Sequence, residues 1–251
     1  MKRINLKGAV IYEFQDSMKA LGIFTLTLFL VGLINIFLPL FFGEMPEETY
    51  FGGLEFSGWI YMLIVGLISV RQDLRLFLQN GRGRHTVFLC QLIVALLGAV
   101  VLSLGGPVLN AALKLVAKLV APGRIVISSF EALFMQSGTG VGTWESMEFN
   151  FLLCIPSFFV GMFISLLYYR LTKRGKILVS IAVPAVLFVG LPMALANNAA
   201  VFSAFVHVVQ FFTGLFDSPL GLAAALSLLL TVLFALFSWL LLRRAPVKAQ
   251  G

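Results

Sequence analysis

Two histidines, two cysteines and eleven carboxylates are the residues here that could bind metal or move protons, and their spacing assembles neither function. His85 and His207 are far apart, and no HExxH pair is present. Cys90 and Cys154 both fall in apolar runs and have no Cys or His neighbours at metal spacing, so they read as small buried hydrophobes. Glu47-Glu48 lacks the following arginine that a paired-glutamate membrane protease would need, and Glu55-Phe56-Ser57-Gly58 is not a GxSG nucleophile motif. The stretch Gln136–Thr143 (QSGTGVGT) is rich in glycine but lacks the Lys-Ser/Thr of a phosphate-binding loop. No catalytic set, metal site or cofactor site is expected, and the chain is not expected to bind or hydrolyse ATP by itself.

The remaining chemistry is charge, and it is concentrated. Between Val70 and Phe88 the chain reads VRQDLRLFLQNGRGRHTVF, which places Arg71, Asp73, Arg75, Arg82 and Arg84 between two long apolar runs. The chain has 251 residues, 60% hydrophobic and 12% charged, with a mean hydropathy of +1.00. A soluble domain is closer to a quarter charged. Apolar runs of about 20 residues match the thickness of a bilayer. The expectation is an all-α polytopic membrane protein with a single transmembrane domain over residues 20–251 and no cleavable leader.

The periodicity divides the chain as follows. Ile4, Ile11, Phe14, Met18 and Leu21 make one apolar stripe, so residues 1–19 are expected to form an interfacial amphipathic helix. Six spans are expected, over about 20–42, 58–70 (borrowing residues before Gly58), 86–104, 149–169, 177–195 and 220–242. Gly105-Gly106-Pro107 is expected to end the third. Residues 108–148 read as an outer amphipathic segment, with Lys114 and Lys118 on one helical face. The spans are expected to carry almost no charge, and Gly32, Gly66, Gly98, Gly161 and Gly190 suit close helix packing.

Charge also sets the expected topology. With both termini inside, the cytoplasmic segments hold fifteen of the eighteen basic residues, leaving Lys114, Lys118 and Arg124 outside. Eight of the eleven acids fall on the outer side, among them Glu44, Glu47, Glu48 and Glu55. This is the positive-inside pattern, so the net charge of +7 does not imply a nucleic-acid partner. A full crossing by residues 199–217 would put Arg243, Arg244 and Lys248 outside, so that stretch reads as re-entrant on the outer face.

Residues 71–85 are then an exposed cytoplasmic loop. Leu74, Phe77 and Leu78 share a helical face, with Arg71 and Arg75 on another, and Asn80-Gly81 suits a helix stop. Such a segment suits either a partner's groove or lipid headgroups.

The pattern R-x-x-x-R-x-x-L-Q-N-G-x-x-R-x-T-x-F, here Arg71, Arg75, Leu78, Gln79, Asn80, Gly81, Arg84, Thr86 and Phe88, resembles the coupling-helix region of membrane subunits of type-2 ABC exporters, especially Gram-positive bacterial permeases. The layout of interfacial helix, six spans and re-entrant stretch resembles that family too. The long segment 108–143 and the short second span depart from it.

The resemblance implies a bacterial plasma membrane, a separate ATPase subunit that holds the ATP and magnesium, and a second copy of this chain or a paralogous membrane subunit. It implies coupling through Arg71, Asp73, Leu74, Arg75, Phe77, Leu78, Gln79, Asn80, Gly81 and Arg84. Phe24, Phe29, Phe37, Phe158, Phe159 and Phe163 suggest a greasy or amphipathic cargo, with a cationic amphipathic peptide as the expected class. The rival expectations are a standalone secondary carrier and a non-transporting membrane scaffold.

Overall fold

The computed structural model describes residues 6–42, 49–52, 54–79, 83–120, 124–127, 143–186 and 219–243, with a few single positions between 189 and 207. The QSGTGVGT stretch before Thr143, Asn80-Gly81, the acidic residues Glu44, Glu47 and Glu48, Gly190, and nearly all of the 199–217 segment lie outside the described residues.

Six helices make up the described bundle: α1 (Leu6–Phe42), α2 (Leu54–Gln79), α3 (Arg84–Val120), α4 (Thr143–Arg170), α5 (Lys173–Ala185) and α6 (Pro219–Arg243). Two four-residue strands, β1 (Thr49–Gly52) and β2 (Arg124–Ile127), pair in parallel, with Thr49 opposite Arg124 and Gly52 opposite Ile127. This ladder was not expected from sequence. Four stretches are long and apolar enough to cross a membrane: Ser17–Leu38, Arg84–Val120, Trp144–Arg170 and Leu220–Arg243. Leu54–Ser69 within α2 is a shorter apolar stretch.

Three expected boundaries are absent, because each helix runs on. The amphipathic N-terminal stretch and the first span are one 37-residue helix, continuous through Lys19. Residues 71–79 are the last turns of α2, not a helix of their own. The third span passes through Gly105-Gly106-Pro107 to Val120. Pro107 lacks an N–H to bond back along the helix, yet it is buried, and Asn110, Leu113 and Ala117 beyond it are buried on the same helix. Packing of those turns overrides the local preference to stop. At about 1.5 Å per residue, 37 residues reach roughly 55 Å, well beyond a hydrocarbon core of about 30 Å. The exposed Lys114 and Lys118 sit on the far turns of α3.

The core forms where α2 and α4 pack side by side. Met62 of α2, Ala95 and Ala99 of α3, Phe158, Phe159, Met162 and Leu166 of α4 and Leu242 of α6 form one buried cluster. Two glycines permit the α2–α4 approach. A Cβ on Gly66 would run into the Phe158 carbonyl, and one on Gly161 into the Leu63 carbonyl. The backbones therefore touch directly, as small residues allow where apolar lipid offers no hydrophobic drive to association. A second cluster joins Ile36 of α1, Leu54 of α2, and Leu113 and Ala117 of α3.

The contacts also fix helix direction. Trp59 meets Asn150 and Gly66 meets Phe158, so α2 and α4 run parallel. The α3 helix runs against them, with Phe88 near Phe159 and Asn110 near Glu55. The Arg84 guanidinium donates to the Arg243 carbonyl, which brings the start of α3 to the end of α6. One end of the bundle thus collects the C-terminal turns of α2, α4 and α6 and the first turn of α3. Arg84, Arg170 and Arg243 lie at that end, and Glu55 and Ser146 at the other.

Candidate functional site

The residues expected to couple to an ATPase divide three ways. Arg71, Asp73, Leu74, Arg75, Leu78 and Gln79 all lie on the helical backbone of α2, with side chains outside the description. Asn80 and Gly81 are outside it altogether. Phe77 and Arg84 are defined in full. Phe77 is buried, 4% exposed, against Val87 and Cys90 of α3. It holds the α2–α3 hairpin together and presents no face to a partner. Arg84 is half-buried and tied to α6. His85 stacks edge-on to Trp239 with ring centroids 5.3 Å apart.

The opposite end of the bundle holds a polar cluster that the expected charge-free spans omitted. Glu55, on the first turn of α2, is buried. Its Oε1 accepts from Asn110 Nδ2 of α3 at 2.7 Å and from Ser146 Oγ of α4 at 3.5 Å. Gly106 lies against it; a Cβ there would sit 3.3 Å from Glu55 Cγ. One helical turn on, Trp59 Nε1 donates to Asn150 Oδ1 at 3.1 Å. That bond fixes the amide orientation and leaves Asn150 Nδ2 buried with no partner among the described residues.

Sequence places Glu55 in the outer acidic loop. The structure makes it an interior group, held by donors 55 and 91 positions away. One sequence signal points to it: an apolar stretch that starts at Gly58 is too short to span, so α2 must begin earlier and include Glu55.

A cavity of about 540 Å³ adjoins this cluster. It opens between α1 on one side and α2, α3 and α4 on the other. Its wall is aliphatic and aromatic apart from Thr25, Glu55, Asn150 and Cys154. Phe24 and Phe29 face it, and Phe24 stacks on Tyr61 at 4.5 Å between centroids. The other phenylalanines expected to receive cargo do different work. Phe158 and Phe159 are core, Phe163 packs on Phe234 and Phe237 of α6, and Phe37 is exposed.

Among the described residues no group of three or more His, Cys, Asp or Glu side chains is placed to hold a metal ion. Cys90 and Cys154 are both buried and not joined by a disulfide. The fold and site together define a helical bundle of membrane-spanning length with a polar cluster and an apolar cavity inside it. Comparison with protein-family models, with curated proteins and with solved structures found no match to this chain.

Proposed function

We propose that this chain is the membrane-spanning subunit of an ATP-driven exporter of the ABC type, in a bacterial plasma membrane. Both termini are cytoplasmic in this reading, the spans number six, and residues 199–217 re-enter from the outer side. A separate ATPase subunit docks on Arg71–Gln79, and a second copy of the chain or a paralogue completes the pathway. The cargo is hydrophobic or amphipathic.

One observation supports this reading above the others. The α2 helix is unbroken from Glu55 at the cavity to Gln79 at the basic end, a rise of roughly 36 Å at about 1.5 Å per residue. A push on the Arg71–Gln79 turns is therefore a push on the cavity wall, with no hinge to absorb it. ATP-driven closure of a docked ATPase then shifts the population of cavity conformations.

A charge swap tests the docking. Asp73→Arg combined with Arg75→Asp keeps net charge, the basic bias of this end and helix propensity. It is expected to insert normally and to lose at least about tenfold of the ATP-hydrolysing protein that co-purifies with a tagged chain, as mispaired interface charges cost several kcal/mol. Full retention of the ATPase by the swapped chain would remove this surface from the mechanism.

The buried carboxyl of Glu55 favours a second reading. Ionisable groups inside membrane helices are costly and often carry protons or ions, so a secondary carrier working without an ATPase is the rival.

A further inference from the structure

We propose that the cavity binds a neutral lipophile bearing a carbonyl group, with the carbonyl oxygen accepting from Asn150 Nδ2 and the apolar body between α1 and α3. This deepens the transport reading by naming a cargo class, and it rests on that reading only for calling the ligand cargo. The binding itself requires no ATPase.

Three observations carry the assignment. The first is room: about 540 Å³ falls within the roughly 300–1,000 Å³ of small-molecule sites, which are mostly apolar with a few placed polar groups. The second is the wall. Leu21, Phe24, Phe29, Leu102 and Leu109 offer apolar surface, and no basic residue lines the space, so an anionic headgroup finds no counter-charge there. Thr25 Oγ1 donates to the Leu21 carbonyl of its own helix at 2.9 Å. Glu55 is already engaged by Asn110 and Ser146 and takes no part.

The third is an unpartnered donor. Asn150 lines the cavity and is 2% exposed. Trp59 occupies its Oδ1, and Nδ2 has no acceptor among the described residues. A buried donor without a partner is costly, so a ligand that brings an acceptor is favoured over one that does not. An amide N–H attracts an acceptor rather than a cation. A carbonyl suits it best, because it accepts and adds no donor that the apolar wall must then satisfy.

The test uses the full chain in phosphatidylcholine nanodiscs, with a fluorescent naphthyl ketone bound saturably and then displaced by 2-dodecanone or by dodecane. Concentrations are counted in the bilayer, so partitioning cancels. The wild-type chain is expected to prefer 2-dodecanone by at least about fivefold, the low end for satisfying a buried donor. Asn150→Leu should lose that preference and still release the probe to dodecane. Trp59→Phe, which leaves Nδ2 in place, should keep it. Gly105→Phe should weaken both ligands: Gly105 lines the cavity, and a Cβ added there meets nothing within 4 Å. Repeating the titration in dialkyl-ether phosphatidylcholine separates two sources of the carbonyl. Tighter ketone binding there assigns the site to the ester of a membrane lipid, and equal binding assigns it to a free lipophile.

Equal wild-type affinity for ketone and hydrocarbon would overturn the site without recourse to any variant, since water then meets the donor. An unchanged preference in Asn150→Leu would overturn it too, as would a preference lost equally in Trp59→Phe. None of these outcomes bears on ATPase docking, so failure of the carbonyl site and failure of the exporter reading are told apart.

Discussion

Gly161→Leu is expected to prevent recovery of folded protein. A side chain at this position meets the Leu63 carbonyl and the Leu67 amide of α2. Backbone cannot rotate aside as a flexible side chain does. The helices must separate, which pulls Met62, Phe158 and Met162 out of the shared core. Overpacking a well-filled core costs about 1–3 kcal/mol even where neighbours yield, and here they do not, so the loss should exceed about 3 kcal/mol. Gly66→Leu should behave alike, because its Cβ meets the Phe158 carbonyl. The control is Gly22→Ala on α1, where an added Cβ meets nothing within 4 Å; it should be neutral or slightly stabilising, as alanine outranks glycine in helices by about 1 kcal/mol. Size-exclusion profiles and thermal unfolding in detergent distinguish these cases. A monodisperse Gly161→Leu with wild-type melting would refute the close α2–α4 packing.

Phe77→Ala is the second large effect, and it is one of stability. Phe77 sits with Val87 and Cys90 where α2 turns into α3. Truncating a buried phenylalanine costs about 3–5 kcal/mol. Thermal unfolding should fall accordingly, and Phe77→Met, which keeps most of the volume, should recover the larger part. A partner lost from Phe77→Ala would therefore report a loosened hairpin. This is why the charge swap at Asp73 and Arg75 is the cleaner probe of docking. Unchanged melting of Phe77→Ala would return the side chain to the list of docking groups.

Sequence carried the coarse architecture because bilayer thickness leaves few choices. A run of about 20 apolar residues crosses or is buried, and this placed the stretches now seen in α1, α3, α4 and α6. Gly66, Gly98 and Gly161 were legible as packing residues for a similar reason, since small side chains in membrane helices serve close approach. Each now faces α2 or α4 across a helix contact.

The polar cluster was not legible, because its reason is non-local. Glu55 reads as a loop acid beside Glu47 and Glu48, and only Asn110 and Ser146, on two other helices, make its burial tolerable. Asn150 lies in an apolar run, where one amide changes no hydropathy average. Pro107 misleads in the opposite sense. Its local cost is real, but the buried turns beyond it on α3 outweigh it.

The island at Arg71–Arg84 stands between these cases. Its helical character through Gln79 follows from its residues. Its continuity with the cavity wall does not, because Arg71, Asp73 and Arg75 end the apolar pattern that would reveal one helix. The most direct measurement is photo-crosslinking in intact cells, with a photoreactive amino acid placed at Leu74. The exporter reading predicts a covalent adduct with a soluble ATP-hydrolysing protein, formed from the cytoplasmic side and lost on the Asp73/Arg75 swap. Adducts with lipid alone would contradict it.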